Sequence, residues 1–404
     1  MRVALVTGCL KLGGSTTFLC NLAGELIRRR IPATVLSFDN ENPLATDFDR
    51  QNIPVTCFDQ NRLIFEDRMQ LVLKELRCFK PTVVLSTLGT ESFEVQRYLP
   101  AGIFRVGVCQ SDDPPLYPGI AKYAAHLDAV AVVSREMKRK MEAQSKLVQH
   151  PIHYLPYGVP IPGQAREPDS GVQQPLRILY LGRLEREQKR VHLFPQILEQ
   201  LKASGIPFHW TIAGDGSQKT FLERAMQSSP AQTISFAGKI SYAGVPELLQ
   251  AHDIFLLASD YEGLPLSLLE AMGAGLVPVV SNLPSGIPEV VNEANGILVA
   301  PDNVMGYTQA MIRLHDDRKA LASLSRNARE RVRCEFSVEA MTDRWLSALP
   351  KTFPAIEEWP ARWNFQTPLP ARHPIYFSHP VRAVRRLAKK FKHRAFARES
   401  SSPA

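Results

Sequence analysis

Short apolar runs that end in glycine or a small polar residue, each followed by a helix-length stretch, recur along this chain, and the series starts twice. In the N-terminal half, residues 3–6, 33–37, 83–85, 104–108 and 129–133 read as strands, and a helix near 15–29 follows the Gly13-Gly14 loop. In the C-terminal half, strands at 177–181, 209–213, 233–236, 254–257, 277–281 and 296–299 alternate with helical stretches such as 192–204. Runs that are apolar on both faces are buried strands, and strand–helix alternation predicts a parallel sheet with helices on each side. A chain of 404 residues exceeds one ordinary core, so two starts predict two doubly wound, Rossmann-like α/β domains. Sheets of this kind bind ligands outside the carboxyl ends of their strands, which in a two-domain chain with facing units is the cleft between them.

The boundary falls where composition changes. Pro151, Pro156, Pro160, Pro162, Pro168 and Pro175 occur with Gly158, Gly163 and Gly171, as in a linker. We therefore expect a first domain over 1–160, a linker over 161–175 and a second domain over 176–335. A helix over 336–350 is expected to pack back toward the first domain, followed by a tail over 351–404.

Charge is concentrated in that tail. Residues 351–404 hold eleven Lys or Arg against three Glu, a net of +8. The whole chain is also +8, so residues 1–350 are neutral. This disfavours a nucleic-acid-binding surface on the main domains. Val381, Val384, Leu387, Ala388 and Phe391 share one helical stripe, while Arg382, Arg385, Arg386, Lys389, Lys390 and Lys392 cover the remaining faces. Such a basic amphipathic helix is suited to an anionic membrane surface; the alternative is a solvated tail. No run is long and apolar enough to span a membrane, and the N-terminus reads as a strand rather than a secretory signal. The six cysteines are scattered without a Cys-x-x-Cys pair, which fits a reducing cytoplasm and disfavours a metal site.

The densest chemistry lies in Glu262-Gly263-Leu264-Pro265-Leu266-Ser267-Leu268-Leu269-Glu270. It follows a buried strand, and Pro265 suits the first helical position because it lacks an N–H that would be orphaned there. Amides around Gly263 and Leu264 would then face out of a helix start, a good environment for phosphate. Glu262 would stand at the rim and Glu270 further along the helix. Arg183 and Lys189, just past the strand ending at Gly182, are cations able to neutralise a diphosphate, or else members of a solvated charged loop. Gly13 and Gly14 permit close backbone approach to a ligand, or simply form a tight turn. Neither the dinucleotide fingerprint nor the Walker pattern is present.

Taken together, Gly182-Arg183-Leu184 with Lys189, Ala213-Gly214-Asp215-Gly216, Glu262-Gly263-Leu264-Pro265-Leu266 with Glu270-Ala271-Met272-Gly273, Gly286-Ile287-Pro288-Glu289 and Gly296-Ile297-Leu298-Val299 resemble glycosyltransferase family 4, the retaining GT-B enzymes. The resemblance covers residues 1–350 and is strongest over 177–302. It implies that Arg183 and Lys189 hold the diphosphate of a UDP- or GDP-sugar, that Glu270 takes the ribose hydroxyls and that Glu262 faces the donor sugar. Backbone atoms of Gly238-Lys239-Ile240 would contact the base, and Gly13 and Gly14 would lie near phosphate and acceptor. No metal is implied, and the acceptor would be a glycan or lipid-linked precursor of a cell-surface polysaccharide, lipopolysaccharide or glycolipid. The resemblance also implies attack by the acceptor on the face of the departing diphosphate, rather than a Glu262 nucleophile.

The chain departs from the family in two places. Many relatives carry a histidine after the strand at 104–108, where this chain has Cys109-Gln110-Ser111-Asp112-Asp113. Asp112 is the candidate on the acceptor side, with an ordinary turn as the alternative. Tyr157 stands where relatives often have Asn. A non-catalytic binding or scaffold protein and a nucleotide-sugar epimerase of the same fold remain open as alternatives.

Overall fold

The computed structural model describes residues 1–59, 62–163, 174–227, 233–361, 363, 365, 384 and 385. The chain forms two compact units. Unit one comprises Met1–Ala131, Met141–His153 and, among the described residues, those from Ala348 onward; unit two comprises Val132–Lys140 and Tyr154–Ser347.

Unit one is built on a seven-stranded sheet. Its strands are β1 (Val3–Thr7), β2 (Ala33–Ser37), β3 (Val55–Cys57), β4 (Val83–Ser86), β5 (Phe104–Cys109), β6 (Ala129–Val132) and β7 (Ile152–Tyr154), in the order β3-β2-β1-β4-β5-β6-β7. Val3 of β1 aligns with Ala33 on one side and Val83 on the other, both parallel. All five β1 residues are buried, as expected of a strand paired on both edges and covered on both faces. Helix α1 (Gly14–Arg28) follows β1 and α2 (Ala45–Arg50) follows β2. Helix α3 (Phe65–Phe79) buries Met69, Val72, Leu73 and Leu76, the spacing of a single apolar stripe.

The segment after residue 350 completes this core. Phe365 lies in the cluster that contains Met69, Val72, Leu73, Leu76 and Val84, with Ile356, Trp359 and Trp363 packed against it. Tyr98 meets Phe365 edge-on at 5.2 Å between ring centroids, and the Glu357 N–H donates to the Ala101 carbonyl at 3.1 Å. The first part of the expected tail is thus an aromatic strap belonging to unit one. Its large side chains bury apolar area that α3 alone leaves uncovered.

Unit two carries a six-stranded sheet in the order β10-β9-β8-β11-β12-β13. The strands are β8 (Leu176–Leu181), β9 (Phe208–Ala213), β10 (Ile234–Gly238), β11 (Ile254–Leu257), β12 (Val277–Ser281) and β13 (Ile297–Val299). Unit one also contains α4 (Thr90–Glu94) and α5 (Leu116–Ala121); α6 (Arg135–Glu142) begins among the residues grouped with unit two. Unit two adds α7 (Phe194–Ser204), α8 (Lys219–Met226), α9 (Val245–Gln250), α10 (Leu266–Gly273), α11 (Ile287–Val290), α12 (Val304–Asp316), α13 (Arg318–Glu335) and α14 (Val338–Ala348). Phe194 meets Tyr180 edge-on and Trp210 at a tilt, each at 5.0 Å between ring centroids, and so anchors α7 to the sheet.

Several boundaries differ from the sequence reading. The division falls at Tyr154 rather than after 160, and residues 132–140 group with unit two. Helix α14 also stays in unit two: Val159 donates to the Phe336 carbonyl at 2.9 Å and Val338 donates to the Val159 carbonyl at 3.1 Å. The helix expected from 192 begins at Phe194, preceded by a 3-10 turn over Val191–Leu193, because Pro195 fixes the start of the α-helix. Ten of the expected linker residues, 164–173, lie outside the described residues.

Candidate active site

The strand order of unit two reverses direction between β8 and β11, and the loops leaving these two strands carry most of the candidate residues. From β8 the chain passes Gly182 into Arg183 and a loop to Arg190; from β11 it passes Ser259 and Asp260 to Glu262. The loops are laced together. Asp260 N–H donates to the Gln188 carbonyl at 2.8 Å, and the Gln188 side-chain amide donates to the Tyr261 carbonyl at 3.3 Å. Arg190 reaches Asp260 at 3.3 Å and also pairs with Asp302.

At the centre of this lacing Lys189 Nζ donates to Glu262 Oε1 at 2.5 Å, and Ser259 Oγ donates to the same oxygen at 2.7 Å. Glu262 is 6% exposed and Lys189 9%. A buried charge must be paired, so each of these residues holds the other in place. Sequence reading places Lys189 on the diphosphate and Glu262 toward the sugar; the structure joins them directly. Arg183 differs in being exposed, with 61% of its side chain accessible, and its guanidinium donates to Glu185 at 2.9 Å and to Gln188. Its carbonyl accepts from the Tyr180 hydroxyl at 2.6 Å, which fixes the loop. Ser259, Gln188 and Tyr180 went unnoticed in the sequence because neutral hydrogen-bonding residues leave no pattern of spacing.

The position of the Arg183 loop depends on Gly214. A Cβ there would lie 1.8 Å from the Gly182 carbonyl oxygen, and the backbone φ is +140°. Only glycine allows the end of β9 to pass so close. The next loop, Gly238-Lys239-Ile240, is held alongside: Gly214 N–H donates to the Gly238 carbonyl at 2.7 Å, and Lys239 Nζ lies 3.5 Å from Asp215.

Pro265 is the N-cap of α10, with φ −67° and ψ 119°, and not its first helical residue. A proline has no side-chain acceptor, and no side chain caps this helix. The leading amides of α10 thus lack the usual Ser, Thr or Asp partner, an arrangement open to an anion. The preceding turn is clamped by Gly286, whose N–H donates to the Gly263 carbonyl at 2.6 Å. Gly263, Leu264 and Pro265 are all buried. At the far end of α10, Arg329 donates to the Gly273 carbonyl at 3.0 Å and Ser325 donates to the Gly275 carbonyl at 2.5 Å.

Glu270 lies one turn into α10 and is half-buried. Its carboxylate has neither a cation nor a hydrogen-bond donor among the described residues. Burial alone raises its pKa to about 7 from the ordinary 4.5. The site therefore contains one carboxylate that is neutralised, Glu262, and one that is unsatisfied, Glu270.

On unit one, Gly13 begins α1 with φ +151°, and the space where a Cβ would point is open. Glycine is required here by backbone conformation rather than by crowding. Asp112, after β5, is buried and accepts from the Tyr117 hydroxyl at 2.5 Å. Of the basic residues expected to face a membrane, Arg385 instead pairs with Glu66 at 2.7 Å, and Glu66 is 2% exposed. The buried carboxylate draws this cation onto unit one. Arg382, Arg386, Lys389, Lys390 and Lys392 lie outside the described residues. Among the described residues no helix is long and apolar enough to cross a membrane.

Residues 165–331 match the family model of glycosyl transferases group 1. The matched region lies within unit two. The chain is 35% identical over 177 residues to the glycogen synthase of Mycobacterium tuberculosis, covering 43% of this chain and 42% of that protein. It is 32% identical over 176 residues to the amylovoran biosynthesis glycosyltransferase AmsK of Erwinia amylovora, covering 42% and 43% respectively. The chain thus matches less than half the length of these curated relatives. Anabaena Alr3699/HepE, crystallised in complex with UDP-glucose, superposes with a TM-score of 0.70 at 18% identity, over 86% of this chain and all of that one. The fold is GT-B, two parallel-sheet Rossmann-like α/β units.

Proposed function

We infer that the protein is a family 4 glycosyltransferase that moves a hexosyl group from a nucleotide diphosphate sugar to a glycan or lipid-linked acceptor, with retention and without a metal. The observation that carries this reading is the Lys189–Glu262 pair between the β8 and β11 loops, beside exposed Arg183 and the uncapped start of α10. A departing diphosphate develops negative charge, and a fixed guanidinium, ammonium and set of amides stabilise it without reorganising. Glu270, unsatisfied and half-buried, is the acceptor for ribose hydroxyls. The Gly238-Lys239-Ile240 loop contacts the base. A UDP-sugar donor is supported by the complex of Alr3699/HepE with UDP-glucose.

Glu262 is a poor nucleophile here. Its charge is neutralised by Lys189, and one oxygen, Oε1, accepts from both Lys189 and Ser259, which fixes the carboxylate and lowers its nucleophilicity. This favours a binding role for Glu262 toward the sugar and attack by the acceptor itself. On unit one, Gly13, beside open space, with Gly14, and the Asp112–Tyr117 pair are the acceptor-side candidates. AmsK and its amylovoran pathway support a role in cell-surface polysaccharide synthesis. Peripheral attachment to the cytoplasmic face of the membrane would fall to Arg382, Arg386, Lys389, Lys390 and Lys392, because Arg385 is engaged by Glu66.

The test is a thermal-shift panel of UDP, GDP and ADP compounds, followed by assay of nucleotide diphosphate release from the sugar nucleotides that stabilise the protein. Ligands that bind only the folded state raise the midpoint. Absence of a response to every nucleotide would overturn the reading.

A further inference from the structure

A second cavity, away from the β8 and β11 loops and wholly within unit two, is lined by Arg135, Tyr154, Glu289, Arg331, Phe336 and Arg344, with Glu335 beside them. Its volume is about 350 Å³. The carboxylates at its wall are engaged in part. Glu289 Oε1 accepts from the backbone N–H of Arg135 at 2.6 Å while its Oε2 is buried without a hydrogen-bond partner among the described residues, and Glu335 pairs with Arg331. Burial and its hydrogen bond to the Glu289 carboxylate push the Tyr154 phenol well above its ordinary pKa, so its proton is directed to Glu289.

The guanidiniums are not committed to the same degree. Arg135 stacks over Tyr154 at 4.7 Å and has no carboxylate partner among the described residues. Arg331 and Arg344 lie over the single ring of Phe336 at 5.6 and 5.8 Å. Among the described residues Arg344 donates only to the Glu335 carbonyl, whereas Arg331 donates to Glu335 and to the Glu289 carbonyl at 3.0 Å, with its Nε buried without a partner. Stacking on an aromatic face fixes a guanidinium while leaving its in-plane N–H groups available. The wall therefore carries three cations against two anions, and the N–H groups not used in these bonds belong mainly to Arg135 and Arg344.

We propose that this cavity binds a small phosphomonoester, a sugar phosphate by size. A phosphoryl group presents three acceptor oxygens and a charge of about −1.5 to −2, which matches the forked donors of Arg135 and Arg344 in the field of a third cation, Arg331, better than a planar carboxylate does. The cavity falls in the size range of small-molecule sites, roughly 300–1,000 Å³, and leaves room beyond a bare phosphate. Occupancy would relieve the repulsion between the two guanidiniums on Phe336. The site is independent of the donor assignment, since it shares none of Arg183, Lys189, Glu262 or Glu270.

Calorimetric titration of the full chain in excess UDP tests this, with glucose 6-phosphate, inorganic phosphate, gluconate and glucose as probes. The UDP occupies any donor-site cations; if it does not bind, the comparison between variants still decides. Glucose 6-phosphate should bind more tightly than gluconate or glucose, and inorganic phosphate should compete with it. Arg135→Gln with Arg344→Gln should weaken binding about tenfold or more, the effect of losing charge-assisted hydrogen bonds. Arg135→Gln alone should show a smaller loss, and it provides the readout if the double variant fails to fold. Arg183→Ala should leave glucose 6-phosphate binding unchanged. No binding of either phosphate probe, equal affinity in the arginine variants, tighter binding of gluconate, or loss of binding in Arg183→Ala would each overturn the proposal.

Discussion

Replacing Glu270 by Gln separates two consequences of one half-buried carboxyl. With a pKa of about 7, Glu270 changes charge across the neutral range. Ribose hydroxyls donate best to the ionised form, which makes up about one-tenth of the population at pH 6 and about nine-tenths at pH 8. Affinity for UDP or GDP should therefore strengthen about tenfold from pH 6 to pH 8, roughly 1.4 kcal/mol. The terminal phosphate of the nucleotide also titrates near pH 6, so the informative quantity is the difference from Glu270→Gln, whose side chain does not ionise. The same shift acts on stability with a definite sign. The folded pKa lies above the unfolded one, so the contribution of Glu270 is fully present below about pH 4.5 and is lost as pH rises through about 7. Between pH 5 and pH 8 the variant should gain about 2.5 kcal/mol on the wild type. Calorimetric titration with nucleotide at pH 6, 7 and 8, and urea unfolding at pH 5 and 8, measure the two effects. An identical pH slope of binding in wild type and Glu270→Gln would refute the ribose assignment; an unchanged stability gap would refute the raised pKa.

Three further perturbations follow from the geometry. Lys189→Met strands a buried Glu262 and should cost about 3–5 kcal/mol in thermal unfolding, whereas Lys189→Met with Glu262→Leu should recover much of that stability but no transfer; a single variant as stable as wild type would contradict the pairing. Gly214→Ala drives a methyl group into the Gly182 carbonyl and should cost more than about 2 kcal/mol while abolishing nucleotide binding, read by unfolding and calorimetry. Phe365→Ala should cost about 3–5 kcal/mol, and hydrogen exchange should quicken in α3 but not in α13, a distinction a general loss of stability would not produce.

The architecture was readable because parallel-sheet strands are buried on both faces and so appear as continuous apolar runs such as 254–257 and 277–281. The short strands β3 and β7 were not, since three residues give no period. Pro265 was assigned by propensity to the first helical position, and the turn clamped by Gly286 shifted it to the cap. Arg183, Lys189, Glu262 and Glu270 were found as residue types at motif spacing. Their partnerships, above all Lys189 with Glu262, are tertiary facts separated by 73 positions. The strap at 355–365 looked like a tail because a Pro- and Trp-rich segment has no periodicity to reveal which core it joins.

That strap makes unit one a discontinuous object in time as well as in sequence. Its sheet leaves the ribosome within the first 154 residues, yet Phe365 follows more than two hundred residues later. At translation rates of about 5–20 residues per second, the apolar groove over α3 stays open for roughly ten to forty seconds. Over that interval the nascent N-terminal unit is a client for chaperones. Any truncation before residue 355, however complete its sheets, leaves that client without Ile356, Trp359, Trp363 and Phe365, the side chains that close its core.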